Sequence, residues 1–124
     1  MKYLCAVFID GGKMKTLSED QRRELDRGTV EHDRSLAARG NLIMAHPLDG
    51  NSVTVRVRDG TMSVTDGPFA ETREVLGGFV MVEATDMNEA IRLIGDNPIA
   101  EFSSIEVHGV VERDIHGVNR ESAE

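Results

Sequence analysis

The sequence holds one cysteine, Cys5, so no intramolecular disulfide can form and the fold must rest on its core alone. Cys5 lies in the apolar run 4–9, whose neighbours supply no positive charge, and this favours a buried, unreactive thiol in a reducing cytoplasm. That run is the most apolar stretch near the N-terminus. It is too short to span a membrane, and polar residues follow it instead of a small-residue cleavage site, so neither a membrane association nor an export signal is read. Basic residues are scarce as well. Lys and Arg number 14 against 22 Asp and Glu, and a net charge of -8 opposes a phosphate backbone, which excludes nucleic acid as the expected partner.

Several site motifs are missing. Gly11-Gly12-Lys13 lacks the leading glycine and the Lys-Ser/Thr ending of a phosphate loop, and no G-x-G-x-x-G follows a strand, so no nucleotide cofactor is expected. No G-x-S-x-G elbow supplies a serine nucleophile. His32, His46, His108 and His116 show no close ligand spacing, and no metal is expected.

What remains is an ordinary globular composition, with 40% hydrophobic and 29% charged residues in 124. Residues 2–10 read as a buried strand ending in a turn at Asp10-Gly11-Gly12. Ser18 and Gln21 make a capping box, after which Leu25, Thr29, His32 and Leu36 keep helical spacing as far as Gly40. Gly28 weakens that helix by about 1 kcal/mol relative to alanine and allows a kink. The acidic residues Glu19, Asp20, Glu24, Asp26, Glu31 and Asp33 form either a solvated helix face or a docking face for a basic partner.

A second strand is predicted over 41–48. Val53, Val55 and Val57 then alternate with polar residues, Asp59-Gly60 supplies a type I′ turn, and Met62 and Val64 continue the alternation, which defines a β-hairpin. Pro68 breaks the pattern. A strand over 79–84, a helix capped by Asp86 and Glu89 and ending near Asn97-Pro98, and a strand over 104–111 complete one domain over 1–112. A loose tail is expected over 113–124. The order defines an α+β, ferredoxin-like β-α-β-β-α-β unit with an inserted hairpin. Its helices would cover one sheet face, and the other, apolar face would be hidden by pairing into a homodimer.

Residues 66–74 (DGPFAETRE), followed by Leu76-Gly77-Gly78-Phe79, resemble the signature of the DGPF proteins within the YCII-related family. Thr54-Val55-Arg56, Val64-Thr65 and the closing strand extend the resemblance over nearly the whole chain. It implies a dimeric α-β barrel. It also implies enzymes built on a histidine and an aspartate in a cleft, and for DGPF members a linkage to extracytoplasmic-function sigma factors. Counted back from Gly40, the family's helix histidine falls nearer Thr29 than His32, whereas His46 looks like a histidine found in some DGPF members at the end of the second strand.

A histidine oriented by a carboxylate makes a general base near neutral pH, and His46 with Asp66, each at a strand end, are the expected catalytic pair. Asp66 has a competing role as a turn residue bonding its own loop. His32, Arg56, Phe69 and Arg73 are the candidate ligand-binding residues: the arginines for an anion, Phe69 for stacking, His32 from a helix stripe facing the sheet. The expected protein is a homodimer binding a small molecule, with acid-base catalysis by His46 and Asp66. The rival is a non-catalytic module docking a sigma factor through its acidic helix.

Overall fold

The computed structural model describes residues 1–69, 73–114 and 117–118. Strand β1 (Lys2–Asp10) leads into a short helix α1 (Gly11–Lys15) and a long helix α2 (Glu19–Ala38). Strand β2 (Leu42–Pro47), the hairpin β3 (Val53–Arg58) and β4 (Thr61–Asp66), and strand β5 (Glu74–Glu83) follow. Helix α3 (Met87–Gly95), a 3₁₀ turn at Pro98–Glu101 and strand β6 (Ser103–Gly109) close the fold. Four strands form one antiparallel sheet in the order β2-β5-β1-β6, while β3 and β4 pair separately. This is the ferredoxin-like β-α-β-β-α-β unit with a hairpin inserted between its second and third strands.

Local chemistry places the helices. The Ser18 hydroxyl accepts from the Gln21 amide at 3.1 Å while the Gln21 side chain accepts from the Ser18 amide at 2.8 Å, so the predicted capping box opens α2. The helix runs unbroken through Gly28 and buries Leu25, His32 and Leu36. A β-carbon at Gly28 would lie 2.9 Å from Pro98 Cγ, so the glycine lets the 3₁₀ turn approach the helix. Alanine usually gains about 1 kcal/mol over glycine in a helix. That clash opposes the gain, and Gly28→Ala is expected to melt no higher than wild type in a calorimetric scan.

Side chains alternate across the sheet. Tyr3, Cys5, Val80 and Val82 point toward the helices and join Leu36, Ala90, Leu93 and Ile94 in the core. Their neighbours Leu4, Ala6, Phe79, Met81 and Met44, paired across the same strands, line the opposite face, which no helix among the described residues covers. Cys5 is fully buried, and burial pushes its thiol up to about 11, the unreactive state expected for it.

Some elements differ from the sequence expectation. Gly11 and Gly12 form the first turn of α1, because the Asp10 carboxylate accepts from the amides of Gly12 and Lys13 and caps it. Strand β5 starts at Glu74, five residues before the expected 79, and carries Gly77 and Gly78 within it. The last strand ends at Gly109. The tail expected over 113–124 falls largely outside the described residues. Among the described residues, no helix is long and apolar enough to cross a membrane.

Candidate functional site

Helix α2 joins the core through Leu36 near its C-terminus, and the turns before it, from Leu25 to Asp33, line a cleft with Gly77 and Gly78 of β5. Strand β1 pairs with β5 through a bulge, in which Val7 faces Gly78, Phe8 faces Leu76 and Gly77 is the extra residue. A β-carbon at Gly77 would overlap the Ile9 side chain, and one at Gly78 would sit 3.0 Å from the His46 carbonyl oxygen. The two glycines thus let Ile9 and the end of β2 close in on β5, and beside them a cleft of about 370 Å³ lies between α2 and the sheet. Val7, Ile9 and Val80 floor it, Thr29 and Asp33 of α2 wall it, and Asn97 and Ile99 close one end.

The lining is mostly apolar. Its carboxyls are Asp26 and Asp33, and it includes no lysine or arginine among the described residues. Asp33 is the unusual member. Its Oδ1 is out of contact with water and has no hydrogen-bond partner among the described residues. An oxygen left in that condition disfavours the charged carboxylate. Burial accordingly raises the Asp33 carboxyl above its ordinary value of 3.8, while the neighbouring His32 partly opposes the shift.

This shift has a sign that can be measured. The folded protein holds the Asp33 proton more tightly than the unfolded chain does. Below pH 3.8 both states are protonated, and stability then falls as pH rises until the folded group has ionised as well. Asp33→Asn removes that penalty. Thermal melts are expected to show the variant more stable than wild type at pH 7 and equal to it at pH 3.

The six residues expected from sequence fall in five places. His32 is buried, and its Nε2–H donates to the Leu93 carbonyl at 2.8 Å, capping the last turn of α3; its Nδ1 is also without a partner among the described residues. His46 lines the cleft at the end of β2. Its ring stacks at a tilt on Phe79, with centroids 5.8 Å apart, so the imidazole turns to the uncovered sheet face beside the cleft.

Asp66 lines a different depression of about 530 Å³, formed with Gly50, Asn51 and Ser52 at the base of the hairpin. There Gly67, at φ 86°, donates to Ser52 and accepts from Thr54 Oγ1, which explains the glycine of the signature by backbone geometry. Phe69 beside it is 79% exposed. Arg56 stands exposed on the hairpin. Arg73 borders a third depression, on the uncovered sheet face, with Phe8, Asp10, Glu74 and Glu106. Among the described residues no cluster of three metal-ligating side chains occurs.

An antiparallel sheet with helices on one face and a cleft beneath the longer helix defines an α+β protein of ferredoxin-like architecture. The chain belongs to the YCII-related domain family, whose model matches residues 1–114. An uncharacterized protein of Rhizobium meliloti (strain 1021) is 31% identical over 83 residues, which cover 67% of this chain and 59% of that protein's length. Among solved structures, the 5-chloro-2-hydroxyhydroquinone dehydrochlorinase of Burkholderia phenoliruptrix, in complex with 2,5-dihydroxybenzoquinone, superposes with a TM-score of 0.54. The match covers 90% of this chain and 94% of that one at 14% identity, so it speaks for the fold alone.

Proposed function

We propose that this protein binds a small molecule in the cleft under α2 and acts on it by acid-base chemistry, with Asp33 as the group that moves the proton. The observation that carries the reading is the Asp33 carboxyl, set in the wall of an apolar cleft with one oxygen removed from water and unpartnered. A carboxyl in that setting stays protonated to a higher pH than an exposed one and can donate its proton to a bound oxygen before taking one back. Proton transfer needs a bound partner in reach. The cleft is within the usual size range for ligand pockets and suits one compact ring. The structural neighbour's ligand, a dihydroxybenzoquinone, is a ring of that kind.

Asp33 thus joins the residues expected from sequence, and the pair His46 and Asp66 is tested beside it. A thermal-shift panel of hydroxylated aromatics, including 2,5-dihydroxybenzoquinone, would be run on wild type, Asp33→Asn, His46→Ala and Asp66→Ala. A compound that binds only the folded state raises the melting midpoint by mass action. The expected result is a shift in wild type that disappears in Asp33→Asn. A shift kept in Asp33→Asn but lost in His46→Ala or Asp66→Ala would move the chemistry to the pair.

The homodimer belongs to the same proposal. Leu4, Phe8, Phe79 and Met81 lie on a sheet face that no helix among the described residues covers, and a second copy hides both faces at once. Membership of the DGPF group within the family rests on the segment from Asp66 to Phe69, and residence in the cytoplasm rests on the lone buried thiol. The rival, a module docking a sigma factor, draws no support from the family match or the fold.

A further inference from the structure

The hairpin stands away from the body as an arm. Every residue of β4 and all but Thr54 of β3 are exposed. Its register puts Val53, Val55, Val57, Met62 and Val64 on one face, each between 57% and 65% exposed. A two-stranded hairpin by itself is marginal in water, so a stripe of five apolar side chains calls for a surface to lie on.

Area and charge point to a second copy of this chain. The uncovered face of the four-stranded sheet offers a footprint of only about 400 Å², from strands roughly 4.8 Å apart and about seven residues long. Each partner in a stable complex buries roughly 800 Å², so the sheet face alone falls short and a further apolar surface must contribute. The arm has that surface. It also carries Arg56 and Arg58 against Asp59 and Asp66, so it is neutral in a chain of net charge -8 and approaches another acidic copy with little repulsion. On that copy, the uncovered sheet face presents a depression of about 430 Å³ in which Phe8 is bordered by Asp10, Glu74 and Glu106, with Arg73 alongside.

We propose that each protomer lays the valine stripe of its β3–β4 arm on the other protomer, beside that acidic rim, so that the arms clasp the dimer. This rests on the dimer reading above and adds a part to it. The test compares wild type with Val55→Glu/Met62→Glu and with Arg56→Glu/Arg58→Glu by sedimentation equilibrium and amide hydrogen exchange. The substituted side chains are exposed in a single protomer, so the body keeps its fold, which circular dichroism checks.

Wild type is expected at twice the 13.6 kDa of one chain, with the amides of 53–66 protected. The apolar-stripe variant is expected to dimerise at least tenfold more weakly and to lose that protection. The charge-reversed variant should weaken the dimer more at low salt than at high salt. If wild type is dimeric, and the stripe variant pairs with unchanged affinity while the hairpin exchanges freely in both, the arm proposal is overturned and the dimer stands. A wild type that is monomeric at 100 μM, as an order-of-magnitude working concentration, overturns both.

Discussion

Leu36→Ala is expected to lower the free energy of unfolding by about 3–5 kcal/mol, read as a fall in the urea midpoint at unchanged slope. Leu36 is completely buried and shares one core cluster with Tyr3, Cys5, Val80 and Val82 of the sheet. Removing its branched end leaves a void that the paired strands cannot collapse into, because β1 and β5 are held by nine residue pairings along their length. The consequence reaches the site. Leu36 anchors the C-terminal end of α2 while the turns before it, from Leu25 to Asp33, line the cleft, so the same variant should bind a cleft ligand more weakly in proportion to its loss of docked helix. A destabilisation under about 1 kcal/mol would mean that α2 is not held by this contact.

Met81→Glu is the second large effect, and it acts on association. Met81 sits opposite Leu4 on one side and Met44 on the other, in the middle of the uncovered sheet face. If two such faces meet about a twofold axis, the substitution brings two carboxylates together in a surface that has lost its water. A buried charge without a partner costs several kcal/mol, so the dissociation constant is expected to rise at least 100-fold, and sedimentation should show monomer. Equal sedimentation of the variant and wild type dimers would place the interface elsewhere.

The elements legible in sequence are those with strictly local signals. Ser18 and Gln21 specify a helix start through two hydrogen bonds made three residues apart. Asp59 and Gly60 both adopt positive φ, as the type I′ turn requires. The order of strands and helices follows from these signals and from alternating apolar residues.

What was hidden depends on distant partners or on missing side chains. Helix α1 was masked because its first two residues are glycines, and only the Asp10 carboxylate makes that turn helical. The early start of β5 was masked by Gly77 and Gly78, which lower strand propensity and yet let the neighbouring strands approach and line the cleft. Asp33 looked like one more charge on a solvated acidic face. Its Oδ1 is buried where α2 faces strand residues more than 40 positions away, which no spacing rule reports. His32 was expected to face inward, and it does; its bond to Leu93 links residues 61 apart in the chain.

The measurement closest to the functional proposal is a crystal structure of the protein grown with the compound that gives the largest thermal shift. The expected result is density for the compound in the cleft between α2 and the sheet, with one of its oxygens or nitrogens within hydrogen-bond distance of the Asp33 carboxyl. Density confined to the depression at Asp66, or to the uncovered sheet face beside Phe8 and Arg73, with the cleft filled only by water, would contradict it.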